Sequence, residues 1–287
     1  MKNLILNGFR PDRFISCHVV HPVLKMLNVS GGVPILMYHN ISWERGGHPI
    51  PYFETNTFPS VFEEHMRFLA AEGYKPAGLE CLIATGAEKT GSKHVVITFD
   101  DGYLDFYRNA FPILRRHGAT ATVFLPTGYI STPRKMFKQR PCLNWNEIRE
   151  LSQNGISFGS HSQSHGELRN LCPKGMEDEL RISKEIIENM TGMPVHSFSY
   201  PYAFPQAQKD FVRLYRAALI DAGYKFGVTT RIGLNSRDSD FLTLKRIPAS
   251  SHDDPLLFAA KLEGAYDWLH SLQTLFKKSR ELSAMEF

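Results

Sequence analysis

The stretch VVITFDDGYLDF, from Val95 to Phe106, decides how this chain is read. Five β-branched or apolar residues run into two adjacent carboxylates and a glycine. A short apolar run of this kind is a buried strand, so Asp100 and Asp101 stand where that strand leaves the core. Like charges side by side repel, and desolvating them costs more still. A sequence that keeps such a pair must offset it with something nearby.

Working outward, a phrase of helix, glycine and short apolar strand recurs. It reads ILRRHGATATVFLP (Ile113 to Pro126), then IRELSQNGISFGS (Ile148 to Ser160), then ALIDAGYKFGVTT (Ala218 to Thr230), with FLAAEGYKPAG (Phe68 to Gly78) as a weaker first instance. In each, the glycine lets the chain leave the helix left-handed and turn into a buried strand. Asn144 to Glu147 has the form of a capping box at one helix start. Phe62, Met66 and Leu69 mark one face of an earlier amphipathic helix that Gly73 ends. Strands alternating with helices imply a parallel sheet covered by helices, open or closed into a barrel.

The 287 residues, 43% hydrophobic and 22% charged, are enough to bury a full core without disulfides. A net charge of +4 is too weak to argue for nucleic acid. Cys17, Cys81, Cys142 and Cys172 show no C-x-x-C pairing, so they read as reduced packing residues rather than a zinc site or disulfide framework. No run of 18 apolar residues is present to span a membrane. Polar residues interrupt the first 32 before any long apolar core, which fails the pattern of a secretory signal. The expectation is therefore a cytoplasmic protein, with peripheral contact to the inner membrane. The N-terminal segment itself reads as an amphipathic lid, a membrane-surface helix or a packing extension. The pattern changes at Gly31-Gly32, giving an extension over 1–32, one domain over 33–270, and a basic helix end and tail over 271–287. Arg45–Pro51 is a loop by its Gly and Pro content. Leu257, Ala260, Leu262, Leu269, Leu272 and Phe276 suggest one long terminal helix ending in Lys277, Lys278 and Arg280.

In parallel α/β domains, sites are built at the C-terminal ends of strands. Four such ends carry polar groups: His39 after VPILMY (Val33 to Tyr38), Asp100-Asp101, HSQSH (His161 to His165) after the Gly155 phrase, and SYPYAF (Ser199 to Phe204). Two imidazoles four residues apart with one carboxylate form a three-ligand set with open positions, suited to catalytic Zn²⁺, Fe²⁺ or Co²⁺. No Glu follows His161, so the pair is not the helical H-E-x-x-H arrangement and reads as a loop or first helical turn. With one Asp on the metal, the other can serve as a base, and the cation offsets their repulsion.

TFDDG (Thr98 to Gly102) and HSQSH (His161 to His165), together with Tyr200-Pro201-Tyr202, resemble the motifs of the NodB-homology polysaccharide deacetylases. The likeness runs from about Val33 to about Ser251. Its opening ILMYH (Ile35 to His39) and late LKRIPASSHDD (Leu244 to Asp254) are similar to the exopolysaccharide branch, which includes the poly-N-acetylglucosamine deacetylases. The resemblance implies a single-domain, distorted (β/α) barrel in the α/β class. It implies that Asp101, His161 and His165 bind a divalent metal, Zn²⁺ first, with Co²⁺, Ni²⁺ or Fe²⁺ as alternatives. It makes Asp100 the general base and the Tyr202 backbone N–H an oxyanion donor. His39 is the preferred acid for the leaving amine, with His252 competing. The implied substrate is an N-acetylated glycan or lipid-linked sugar in exopolysaccharide or cell-envelope biosynthesis.

Departures from the pattern are specific. Ser199 stands where the family motif has an Arg that orients the base, and Ala203 replaces the motif glycine. Arg246 is the candidate to supply the missing charge. Trp145 reads either as a sugar platform or as core. Alternative readings are deacylation of another lipid-linked amino sugar, a non-haem iron oxygenase, or a non-catalytic glycan-binding homologue. Oligomeric state is not legible.

Overall fold

The structure, a computed structural model, describes residues 10–28, 32–44, 54–80 and 93–270. The expected loop at Arg45–Pro51, Cys81, Leu272, Phe276 and the basic tail over 271–287 lie outside the described residues.

The described residues form twelve strands: β1 Ile35–Tyr38, β2 Asn40–Ile41, β3 Asn56–Thr57, β4 Tyr74–Ala77, β5 Lys93–Phe99, β6 Thr122–Leu125, β7 Met136–Phe137, β8 Arg140–Pro141, β9 Ser157–Ser160, β10 Ser197–Ser199, β11 Phe226–Ile232 and β12 Leu244–Pro248. Seven of them close a parallel ring in the order β1-β12-β11-β10-β9-β6-β5, and β5 pairs back to β1. The chain is therefore a closed barrel, as the resemblance implied. β4 pairs with the first half of β5 (Lys93–Val96), and β6 takes over at Thr98 and Phe99.

Alternation along each strand sorts the side chains into two layers. Ile35, Val96, Phe124, Phe226, Val228 and Leu244 form one buried cluster, closed off by Leu79. Leu36, Val95, Ile97, Val123 and Leu125 belong to the larger cluster that packs against the helices. The first set fills the barrel and the second faces outward. The same period of two carries Val96, Thr98 and Asp100 to the inside of β5, and Leu244 and Arg246 to the inside of β12. This alternation is how a carboxylate and a guanidinium far apart in sequence come to share the barrel's upper interior.

The expected helices are present. Pro59–Ala71 buries Phe62, Met66 and Leu69, along with His65. Asn144 caps Trp145–Gln153 through its side chain, which accepts from the Asn146 and Glu147 amides, while Glu147 accepts from the Asn144 amide. The glycines of the four repeated phrases, Gly73, Gly118, Gly155 and Gly223, all have φ between +59° and +84°. Trp145 is buried and belongs to the core, not to a sugar platform.

Two readings are corrected. The long terminal helix is broken: Pro255–Leu262 ends at Glu263, Gly264 turns left-handed at φ +83°, and Ala265 and Tyr266 fold inward to be buried. Cys17 and Cys142 are buried packing residues, but Cys172 is exposed and caps Pro173–Thr191, its sulfur accepting from the Gly175 amide.

The N-terminal segment is helical over Pro11–Met26, with a wider π-type turn at Ser16–Val20. It packs on Pro255–Leu262 through Cys17 against Leu257, Ala260 and Tyr266. Arg13 Nε donates to Asp254 Oδ2 at 2.6 Å, and Trp268 Nε1 to Ser16 Oγ at 3.0 Å. Its outer face leaves Phe14, Val19, Val23 and Met26 exposed. Among the described residues, no helix is long and apolar enough to cross a membrane.

Candidate active site

The four strand ends meet at one point. Asp100 follows β5 and is fixed by its amide donating to Tyr38 O at 3.0 Å. Asp101 then turns left-handed (φ +72°), as do Ser162, His165 and Tyr202. Left-handed backbone at four non-glycine residues around one pocket is strain held in place by the surrounding structure, a feature that gathers at functional sites. Gly102 is needed beside Asp101: its φ is +58°, and a Cβ there would lie 2.9 Å from Leu125 Cδ2.

Asp101, His161 and His165 are all buried, and one ligand atom from each lies within 4.8 Å of the others. Asp101 Oδ1 is 3.1 Å from His165 Nε2 and 3.5 Å from His161 Nε2. Yet Oδ1 makes no aligned hydrogen bond, so three electron-pair donors converge without satisfying one another. His161 Nδ1 donates to Ser199 O at 2.7 Å, which leaves Nε2 with its lone pair turned to the cluster. Such a backbone anchor on the far ring nitrogen is the usual support of a ligating imidazole. Burial presses the Asp101 carboxyl upward, but the neighbouring His161 and His165 imidazoles prevail and hold it well below the usual range. Burial also lowers the His165 pKa, against the pull of Asp101. An ionised carboxylate and a neutral imidazole are the states a divalent metal requires. The residues present thus fit the implied metal on their own chemistry.

The His161–His165 segment is a loop held by groups that no motif announces. Glu179 Oε2, from Pro173–Thr191, accepts from the Gln163 and Ser164 amides at 2.8 and 2.9 Å. The Gly128 amide donates to Gln163 O at 2.8 Å. Phe137 packs its ring 4.7 Å from that of His165, and Tyr202 adds its own at 4.8 Å. Neither Glu179 nor Phe137 is legible in the sequence, because each reaches the loop from a separate element, 15 to 28 residues away and outside any local motif.

Asp100 has a different environment. Arg246, fully buried, grips it with both nitrogens: Nη1 to Oδ1 and Nη2 to Oδ2, each at 2.7 Å. Arg246 Nη2 also donates to Ser199 Oγ at 3.0 Å, and the Ser199 hydroxyl donates to Asp100 Oδ1 at 3.2 Å. Arg246 Nε donates to Thr229 O at 3.0 Å. The charge that the motif lacks at position 199 arrives from β12, and Ser199 bridges the pair. Burial raises the Asp100 pKa, but Arg246 overcomes it and lowers the group to about 2. Asp100 is therefore ionised at neutral pH.

His39 Nε2 lies 4.0 Å from Asp100 Oδ2, with its side chain 21% exposed. Burial lowers its pKa, against the attraction of Asp100 and Asp101. His252 is not brought to the site: it is exposed, in the turn after β12, with its carbonyl accepting from Arg10 Nη1 at 2.8 Å. Tyr202 is 47% exposed beside His165, and its N–H makes no hydrogen bond among the described residues.

A closed parallel barrel with a buried Asp-His-His triad beside a clamped carboxylate, all on the C-terminal face, defines an α/β-barrel enzyme. Comparison with known proteins gives the family. Residues 87–227 match the polysaccharide deacetylase family. The Bacillus subtilis (strain 168) protein YxkH, named for the polysaccharide deacetylases, is 33% identical over 233 residues, 80% of this chain and 76% of that protein. The Streptococcus pyogenes deacetylase PplD, solved with acetate, superposes with a TM-score of 0.69 at 27% identity over 82% of this chain and 100% of that one. The poly-beta-1,6-N-acetyl-D-glucosamine N-deacetylase of Escherichia coli (strain K12) is 27% identical over 143 residues, 46% of this chain but only 20% of that protein. This chain belongs to the polysaccharide deacetylase family, and is a hydrolase acting on carbon–nitrogen bonds.

Proposed function

We propose that this hydrolase is metal-dependent and removes N-acetyl groups from an amino-sugar glycan or lipid-linked saccharide, in exopolysaccharide or cell-envelope biosynthesis. The observation that carries the reading is the pairing of two carboxylates with separate surroundings: Asp101 among imidazoles, Asp100 in the grip of Arg246. Asp101, His161 and His165 would hold the divalent ion, Zn²⁺ first. Such an ion supplies Lewis acidity for the acetamide carbonyl and eases deprotonation of water.

The chain's own residues supply the rest. Asp100 Oδ2 accepts the proton of the attacking water. A carboxylate with a pKa near 2 is a weak base, so this proton must move on. His39 Nε2, 4.0 Å away and so within reach through one water, takes it and delivers it to the leaving nitrogen, because an amide anion is too poor a leaving group. One proton thus travels from water to amine, giving a free amino group and acetic acid, which loses the second water proton to solvent as acetate. Arg246 keeps Asp100 in a single orientation through both steps. The Tyr202 N–H is assigned to the developing oxyanion. We further propose a cytoplasmic protein in contact with the inner membrane face; the exposed Phe14, Val19, Val23 and Met26 of the N-terminal helix support the membrane contact alone.

The test is acetate release from N-acetylated oligosaccharides and lipid-linked amino sugars, with and without chelator. Release that chelator abolishes and Zn²⁺ restores is expected. Undiminished release after chelation removes the metal from the account.

A further inference from the structure

The hairpin that carries Phe137 against His165 also sets a charge over the site. Strands β7 and β8 pair antiparallel, Phe137 against Arg140, and the two-residue turn between them is Lys138-Gln139. Both turn residues are left-handed, at φ +46° and +65°. This is the geometry of a tight two-residue hairpin turn, which fixes where its tip points. The Lys138 ammonium lies 3.6 Å from Asp101 Oδ2. It sits 4.6 Å from the Phe137 ring centre and 5.7 Å from that of Tyr202, while 49% of the side chain remains exposed. One cation therefore stands at the mouth of the pocket, on an aromatic floor, between the metal triad and solvent.

The hairpin is anchored, so this placement is built in. Arg134 pairs with Glu147, and Arg140 with Glu44 at 3.4 Å. The Cys142 amide donates to Lys135 O at 3.0 Å, and Phe137 is wedged between Tyr129 and His165. The segment from Thr127 to Leu143 contains four basic residues and no acidic one. Its two arginines are committed to glutamates and Lys135 to the Gly128 carbonyl, leaving Lys138 as the cation turned to the site. Asp100, Asp101, Arg246 and Lys138 cancel in charge when the imidazoles are neutral. A divalent ion then makes the pocket doubly positive, and Lys138 is the share nearest the approaching substrate. A cleft of one sign concentrates ligands of the other.

We propose that Lys138 is a specificity-determining residue that selects a glycan carrying a carboxylate next to the N-acetylated sugar. This rests on the deacetylase reading and narrows its substrate to acidic amino-sugar chains. A single ammonium, with no free guanidinium beside it among the described residues, fits a monoanionic carboxylate; phosphate is met more often by a bidentate arginine fork.

The test compares Zn²⁺-loaded wild type with Lys138→Gln, Lys138→Glu and Lys138→Arg on two oligosaccharides of equal length. One is all N-acetylglucosamine, and the other alternates N-acetylglucosamine with N-acetylmuramic acid. The kcat/KM ratio, acidic over neutral, should fall about tenfold in Lys138→Gln, further in Lys138→Glu, and stay within about threefold in Lys138→Arg. The preference should shrink as salt rises to about 0.5 M, since exposed charges are screened. Calorimetric affinity of Zn²⁺-loaded Asp100→Asn protein, with and without Lys138→Gln, gives the same ratio without turnover. If neither glycan releases acetate but the affinity ratio behaves as expected, the deacetylase reading fails and the charge selection stands. A ratio that moves less than twofold, equal loss on both glycans, or no affinity for the acidic one overturns the proposal.

Discussion

Replacing Arg246 with Met removes the guanidinium at little change in volume and strands Asp100 in the barrel. Both carboxylate oxygens lose a 2.7 Å partner, and Ser199 Oγ and Thr229 O lose theirs. Arg246 holds the Asp100 pKa at about 2, against burial that pushes it above the ordinary 3.8. Returning the group past 3.8 is about two units, or about 2.5 kcal/mol at 1.36 kcal/mol per unit. The orphaned carbonyl and hydroxyl add to this, so the total falls at the about 3–5 kcal/mol typical of a broken buried pair. Urea unfolding at pH 7 measures it. Asp100→Asn combined with Arg246→Met should cost about 2 kcal/mol less than the two single changes together, because the second removes an interaction already lost. A cost below about 1 kcal/mol for Arg246→Met, or strict additivity in the double variant, would refute the clamp.

Further outcomes follow from other parts of the molecule. His39→Gln should lower kcat by about 10²–10⁴ as the loss of a general acid does, while His252→Gln stays within about twofold; steady-state acetate release decides, and a large loss in His252→Gln reverses the assignment. Asn144→Ala should lower stability by about 1 kcal/mol in urea unfolding, since it undoes one half of the capping box. Asp105 is buried with Oδ1 unpartnered, and burial raises its pKa from 3.8 to about 6. A carboxyl whose folded pKa is raised costs nothing below about pH 4, costs progressively more as pH rises through 6, and reaches about 3 kcal/mol above it. Asp105→Asn should therefore stabilise the protein at pH 8 but not at pH 4, by thermal melting at both; equal shifts would place the cause elsewhere.

Much of the fold was legible because its signals are local. The repeated helix–glycine–strand phrase depends on neighbours in sequence, as do the Asn144 capping box and the apolar run into Asp100. The candidate site was legible where residue types cluster at strand ends, as in Asp100-Asp101 and His161–His165. Arg246 could be suspected but not placed, because its bond to Asp100 spans 146 residues and depends on both side chains pointing into the barrel. The hairpin at Met136–Pro141 escaped notice because strands of two residues leave no periodicity. The terminal helix was overextended because its apolar spacing continues past Gly264, and only packing shows that Ala265 and Tyr266 turn inward instead. Cys172 departs from the packing expectation because a capping thiol looks like any other cysteine in sequence.

The central claim is that Asp100 and Asp101 have separate duties, one moving a proton and the other holding the ion. Acetate release by Asp100→Asn, measured beside its bound metal per chain, tests this most directly. One divalent ion per chain is expected, as in wild type, with release reduced at least about a hundredfold. Release at the wild-type rate with the metal in place would contradict it.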